Sequence, residues 1–453
     1  MGTSSSATTS SDTEETVRGM AATRPKVAFY GDDFTGATDT LATAARAGLR
    51  TVLFFRPPGE SQLARAGPLD CVGIAGAARS MTPAEMQVEL EPVGSFFARL
   101  GAPLMHYKVC STFDSSPETG NIGAAIAILR KHAQDPLVAV VGGQPNLRRY
   151  CLFGNLFAAA GIDGQVHRID RHPTMSRHPV TPMREADLRV HLAQQGLGAI
   201  ASIDYVDYDA PAASIDAAIA THVASGASAL LFDVSHEREL PVIGRALDER
   251  SQRARMLVVG PSTVVQAVCA HSEPARRPGN ARARTASIMA AVGPVFVFSG
   301  SLSPITARQV AAARSYRVLQ VDAGRLVSAD AEYRAGIAAF AAASLRNGSN
   351  VLACTAERTG HSGRAVAAAS AHLVAEVLAR APVRRIGIAG GDTSSQAVLG
   401  LDAWGLSYVA QVAEGVALCR LHSDAAALDG LEVMLKGGQM GPDELFEHLV
   451  HGV

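Results

Sequence analysis

The sequence is short of several things that define common protein classes. Aromatic residues make up only 5% of its 453 residues, too few for the stacking platforms that hold single-stranded nucleic acid. Neither sign of charge prevails. Lys and Arg number 41 against 42 Asp and Glu, a formal −1, which excludes a whole-molecule grip on nucleic acid or anionic lipid and leaves room only for local basic pockets. No apolar run approaches the roughly 20 residues a bilayer demands, so no membrane partner is expected. The six cysteines (Cys71, Cys110, Cys151, Cys269, Cys354 and Cys419) include no CxxC pair, which removes a zinc ribbon and a redox pair. Cys71, Cys354 and Cys419 lie in apolar runs as small hydrophobes, and the want of a disulfide framework points to a reducing compartment. There is no GxxxxGK[ST], no HRD/DFG set and no HExxH. The run Gly196–Ala201 imitates a dinucleotide fingerprint but precedes a strand, so it reads as a turn. Gly360–Gly363 has the wrong spacing for a hydrolase elbow.

What is present is apolar and regular. Hydrophobic residues are 47%, charged residues 18% and mean hydropathy +0.13, a balance that suits large buried sheets. The length exceeds one ordinary core, so two domains are expected. Residues 1–24 are polar and lack a secretory apolar region, which reads as a disordered tail on a cytoplasmic protein. Short β-rich runs then alternate with alanine-rich stretches of helical period, the rhythm of parallel sheet with helical crossovers. The polar, Pro-punctuated stretch 271–290 serves as linker between domains over 25–270 and 291–453. Val166–Met183 breaks the rhythm as a long irregular loop. From Tyr408 onward short β runs follow without full helices, predicting an antiparallel edge to a second sheet. The expected fold class is α/β, with two α/β domains of mainly parallel sheet.

Chemistry gathers where strands end. Gly31–Asp39 (GDDFTGATD) leaves the strand KVAFYG and enters a helix, the edge at which open α/β sheets bind ligands. Of its adjacent acids, Asp32 and Asp33, one can cap the helix (as could Thr35), and the other is left to accept a proton or bind a polyhydroxy ligand. A capping turn with a solvated second acid is the plainer alternative. After a second strand, Lys108, Ser111, Thr112 and Asp114 offer one cation, two hydroxyls and one acid, the mix a sugar acid needs; a ligand-free salt-bridged loop would look the same. Arg79, at a third strand end, could present a bidentate fork to a carboxylate. In the Pro-stiffened loop 166–183, His172, Arg177 or His178 could reach into a site. The second half carries three glycine turns after strands, SGSLS at 299–303, GGDTS at 390–394 and KGGQMG at 436–441. Without a Cβ, backbone N–H groups can approach an anion, and a helix N-terminus adds partial positive charge. Three such turns in one domain suggest a nucleotide-phosphate cradle.

Taken in order, GDDFTGATD, YKVCSTFDSS with GNIG, MSRHPVTPM, SGSLS, GGDTS and LKGGQMG resemble the four-carbon acid sugar kinase family, over roughly Val27 to Phe446. The STFDS, GNIG and HPVTPM segments look most like its 3-oxo-tetronate kinase branch, although that branch tends to carry Glu where this chain has Asp392. Kinases of branched acids such as 3-oxo-isoapionate keep similar motifs. The resemblance implies an N-terminal sugar-acid-binding domain and a C-terminal nucleotide-binding domain, with the active site in the cleft between them. It implies phosphorylation of 3-oxo-tetronate, or of a tetronate such as threonate or erythronate, to the 4-phosphate from ATP with Mg²⁺. Asp33 or Asp32 would be the catalytic base. Asp32, Asp33, Arg79, Lys108, Ser111, Thr112, Asp114 and His178 would bind the sugar acid. Ser301, Ser303, Gly390, Gly391, Asp392, Thr393, Lys436, Gly437 and Gly438 would bind ATP, with Asp392 on the metal. A homodimer is a compatible assembly. Two other classes fit less well: a non-catalytic sensor of sugar acid and nucleotide, and a nicotinamide oxidoreductase, for which no GxGxxG follows a strand.

Overall fold

The computed structural model describes residues 24–160, 164–272, 288–328, 330–355, 360–438 and 440–453, without the side chain of Asp392. The expected tail, apart from Arg24, and most of the expected linker lie outside the described residues. In the first half the strands are β1 (Val27–Gly31), β2 (Thr51–Phe54), β3 (Cys71–Ala75), β4 (Leu104–Lys108), β5 (Val138–Val141), β6 (Arg149–Leu152), β7 (Asn155–Ala159), β8 (Val166–Arg168), β9 (Ile200–Ile203), β10 (Ala229–Phe232) and β11 (Met256–Gly260). The second half adds β12 (Val295–Ser299), β13 (Tyr316–Val321), β14 (Asn350–Thr355), β15 (Arg385–Ala389), β16 (Gly405–Ala413), β17 (Val416–His422) and β18 (Glu432–Lys436).

Fifteen of these strands form one sheet, in the order β13-β14-β12-β15-β18-β17-β16-β2-β3-β1-β4-β11-β5-β10-β9. Within each half the neighbours are parallel, and β16 and β17 reverse direction in the middle. The late β runs therefore do not edge a second sheet, as their sequence suggests. They join two sheets into one, through a ladder in which Gly405 and Leu406 of β16 face Phe54 and Leu53 of β2. Phe54 and His422 both stack against Trp404 at this joint, with centroids 5.7 and 5.0 Å away.

Helices cover both faces, which is why the strands read as unbroken apolar runs. Successive side chains of β1 split between two cores. Val27 and Phe29 pack with Phe34, Ala37 and Leu41 of the helix Phe34–Arg46. Ala28 and Tyr30 pack with Met86 and Leu90 of the helix Pro83–Leu100, which a Thr82–Glu85 capping box starts and Gly101 ends in the left-handed region. A separate three-stranded antiparallel sheet, β6-β7-β8, stands beside the carboxyl edge of β5. The helix Phe34–Arg46 also touches β16, β17, β18 and the helix Gly391–Leu399, so the element that follows the double-acid turn is packed between the halves.

Candidate active site

β1, β3 and β4 end side by side, with Gly31 opposite both Ala75 and Lys108. Pairing continues past the strands: Asp32 N donates to Lys108 O and Arg79 N to Asp32 O, each at 3.0 Å. Three separate segments are thereby fixed around one point. Asp32 is buried and takes a fork from Arg79, Nε at 3.1 Å and Nη2 at 2.8 Å. Asp33 is the helix cap: its Oδ1 accepts from Gly36 N at 2.9 Å. The same oxygen lies 2.9 Å from Arg79 Nη2 and 3.6 Å from Lys108 Nζ. A Cβ on Gly36 would overlap that ammonium, a constraint the motif carries unannounced as its G of FTG.

Burial pushes the Asp32 carboxyl up, against the pull of Arg79 and Lys108. Burial opposes the Asp33 charge as well, but there the two cations outweigh it and hold the carboxyl below the ordinary range. Asp33 is the more exposed of the pair, at 29% against 6%, and its Oδ2 makes no hydrogen bond among the described residues. The expectation that Arg79 and Lys108 face a ligand carboxylate therefore meets a different arrangement, since both cations are engaged by the protein's own acids. Thr112 Oγ1 donates to Asp114 Oδ1 at 2.5 Å and lies 3.0 Å from Cys110 Sγ. Ser111, Thr112 and Asp114 are buried. Phe113 between them sits at φ 53, a strained value for a bulky residue. Behind this loop Ser115, His191 and Gln195 interlock, His191 Nε2 lying 2.9 Å from Ser115 Oγ. His178 does not join the cluster; its Nδ1 accepts from Thr181 N at 3.1 Å and pairs with the Thr181 hydroxyl.

In the other half the glycine turns meet. Gly300 N donates to Ala389 O and Gly390 N to Lys436 O, tying the exits of β12, β15 and β18 together. Gly390 has φ 117, which L side chains rarely adopt. A Cβ there would stand 3.4 Å from Ser301 N, and one on Gly300 would overlap Thr393 Oγ1. Ser303 caps the next helix through Ile305 N. Gly391 is exposed at the start of the helix Gly391–Leu399, while the Asp392 side chain lies outside the described residues. Lys436 does not line this surface. It is wholly buried, and its Nζ donates to Thr306 Oγ1 at 2.8 Å and Gln309 Oε1 at 2.7 Å. Thr306 bonds Ser301 and Gly438 O, and Gln309 Nε2 reaches the carbonyls of Met440, Gly441 and Pro442. These three side chains pin two of the turns from below, whereas the sequence reading sets Lys436 among the residues that bind ATP directly. Burial lowers the Lys436 pKa to about 8.

The two clusters adjoin. A Cβ on Gly437 would come 4.0 Å from Thr35 Cγ2, beside the double acid, and one on Gly438 would meet Ser301 Oγ at 2.7 Å. Next to Ser301 a hollow of about 410 Å³ opens, bordered by Ser299, Leu302, Gln320, Cys354 and Thr355. Among the described residues no group of three or more His, Cys, Asp or Glu is placed to hold a metal. No helix among them is long and apolar enough to cross a membrane.

Comparison with known proteins matches a sugar-binding N-terminal domain over residues 27–268 and a nucleotide-binding C-terminal domain over 296–446. The chain is 40% identical to the 3-oxo-isoapionate kinase of Paraburkholderia graminis, covering 93% of both chains. It is 32% identical to the 3-oxo-tetronate kinase of Methylobacterium radiotolerans, over 92% of this chain and 96% of that one. A solved Haemophilus influenzae protein superposes with a TM-score of 0.72 at 24% identity, covering 93% of this chain and 98% of the other, and so shares the fold.

Proposed function

The chain belongs to the four-carbon acid sugar kinase family, and from that premise we propose that it phosphorylates a branched 3-oxo sugar acid of the 3-oxo-isoapionate type. That it is an ATP-dependent sugar-acid kinase follows from the family and its two domains. The narrower substrate rests on one observation, the 40% identity over 93% of both chains with the 3-oxo-isoapionate kinase, against 32% or less for the 3-oxo-tetronate kinases. The unbranched acid is the second reading, supported by the several relatives that bear its name. Domains over 25–270 and 291–453 and a cytoplasmic location belong to the proposal.

Phosphoryl transfer needs positioning and charge neutralisation above all. The substrate hydroxyl attacks the γ-phosphorus, the bond from that phosphorus to the β,γ-bridging oxygen breaks, and ADP departs. Asp33 Oδ2 receives the hydroxyl proton. A carboxylate held ionised suits a loose transition state, in which the hydroxyl must be aimed more than stripped. Asp32 holds Arg79, which with Lys108 fixes Asp33. Thr112, Asp114 and Ser111 read the remaining hydroxyls. The amides of the turns at Ser301, Ser303, Gly390, Gly391, Thr393, Gly437 and Gly438 seat the phosphates, and the hollow beside Ser301 receives the nucleoside. Mg²⁺, which keeps most of its waters and leans on substrate phosphates, would find the hydroxyls of Ser301, Ser303 and Thr393 at the turns to hold it, and would supply neutralisation of phosphoryl charge.

The deciding experiment is ADP release from the purified protein across 3-oxo-isoapionate, 3-oxo-tetronate, threonate and erythronate. A kcat/KM at least tenfold higher for the branched acid is expected. A preference for 3-oxo-tetronate would move the chain to the second reading, and no release with any acid would remove both.

A further inference from the structure

The acid-binding cluster carries the wrong charge for its ligand. Arg79 faces Asp32, Asp33 and Asp114, and Lys108 is the other cation among them. Two cations against three carboxylates leave the pocket at about −1, and Arg79 already spends its fork on Asp32. An anionic substrate entering such a pocket is repelled unless another cation meets it.

One cation is placed to do so. β5 leaves the sheet two strands from β4, with β11 between them. Its exit runs through Gln144 into β6, which Arg149 opens. Gln144 and Arg149 exchange backbone hydrogen bonds of 2.8 and 3.1 Å, and Gln144 Nε2 reaches Asp39 Oδ2 at 3.3 Å, on the helix that Asp33 caps. Arg149 is thus tied to the acid turn by one buried side chain. Arg148 before it adopts φ 58, a left-handed conformation that re-aims the chain at this corner. The electrostatic neighbours of Arg149 include Cys110, inside the Lys108–Asp114 loop, and His172, in the loop over 166–183. No ion pair holds Arg149 among the described residues. Nη1 bonds the Leu147 carbonyl, while Nε is buried with no hydrogen-bond partner. A buried guanidinium N–H left unpaired is destabilising, and burial presses on the charge of this Arg. A bound carboxylate would offset the second.

We propose that Arg149 binds the carboxylate of the sugar acid, and that Arg79 and Lys108 serve the acid pair instead. The assignment rests on the sugar-acid kinase reading and deepens it. It makes Arg149 a specificity-determining residue, because a neutral analogue leaves its guanidinium unanswered.

The test compares the preferred sugar acid with its primary amide, which keeps every hydroxyl and loses the charge. KM and kcat are measured for both compounds with wild type, Arg149→Met and Arg149→Lys, and ATP binding by calorimetry reports that each variant is folded. Wild type should prefer the acid by about 100-fold or more. In Arg149→Met that preference should collapse to a few-fold, through the KM of the acid alone, with KM for ATP unchanged. Arg149→Lys should recover part of it, since an ammonium supplies charge without the fork. A variant that binds ATP yet still prefers the acid as wild type does, or that loses acid and amide equally, overturns the role of Arg149. Wild type that turns over neither compound removes the kinase reading itself, a separate outcome.

Discussion

Two acids in adjacent positions have been separated by their surroundings. Asp32 is buried under an Arg79 fork, whereas Asp33 keeps one oxygen for the helix cap and cations and the other without a hydrogen bond among the described residues. Replacing Asp33 by Ala should lower kcat by at least about 100-fold with sugar-acid and ATP binding retained; near-normal turnover would transfer the role to Asp32. Lys436 allows a second residue-level test. Its folded-state pKa of about 8 lies below the 10.5 of a free lysine, so between those values the unfolded chain binds one more proton than the folded one. Stability contributed by this site therefore rises with pH across that window. The unfolding free energy of wild type, measured against Lys436→Met, should climb by about 1.4 kcal/mol per pH unit from pH 8 to pH 10. A flat difference would mean that the amine is charged in the folded state. Above about pH 8 the neutral amine fits its setting, because two N–H donors meet two acceptors, Thr306 Oγ1 and Gln309 Oε1. Sequence alone puts Lys436 in the phosphate cradle. That it lies beneath the cradle depends on Thr306 and Gln309, which approach it from another helix.

At the level of elements, the strand ends were legible, because a parallel strand buried on both faces reads as an apolar run closed by a polar turn. GDDFTG, STFD and the three glycine turns all fall at such ends. The hairpin β6–β7 was not legible, and Arg149 was missed with it. Its turn is Phe153–Gly154, both left-handed at φ 50 and 77, where a hairpin is ordinarily announced by Asn-Gly or Asp-Gly. A remote acid supplies what the turn lacks: Asp233, at the end of β10, accepts from Phe153 N at 2.5 Å and Gly154 N at 3.0 Å. That help comes from 80 residues away and leaves no local pattern. Asp233→Ala should destabilise the protein by about 1–3 kcal/mol, read from urea unfolding. It should also raise KM for the sugar acid more than KM for ATP, since the hairpin carries Arg149. An unchanged sugar-acid KM would detach the hairpin from the site.

Among the described residues, fifteen strands make one sheet that runs through both halves. Its continuity hangs on two residue pairs between β16 and β2, reinforced by the stack of Phe54, Trp404 and His422. Domain closure over substrates, which keeps water from competing as acceptor, would have to move this joint together with the helix Phe34–Arg46 packed between the halves. The only tryptophan in the sequence lies at this joint, so intrinsic fluorescence reports on it directly. Adding ATP and sugar acid together should change Trp404 emission more than the sum of either alone, and strictly additive changes would argue for halves that do not move at this joint. Two domains were foreseeable from length and from the restarted α/β rhythm. Their fusion into one sheet was not, because a run of short strands pairs equally well at an edge or in a middle.

In the proposed mechanism the acid turn and the glycine turns act on one reaction. That joint action is tested most directly by ³¹P NMR of the protein with ATP, Mg²⁺ and its preferred sugar acid. A new phosphomonoester resonance should grow in step with ADP and vanish in Asp33→Ala. Release of inorganic phosphate alone, or ADP formed without a phosphorylated sugar acid, would contradict that mechanism.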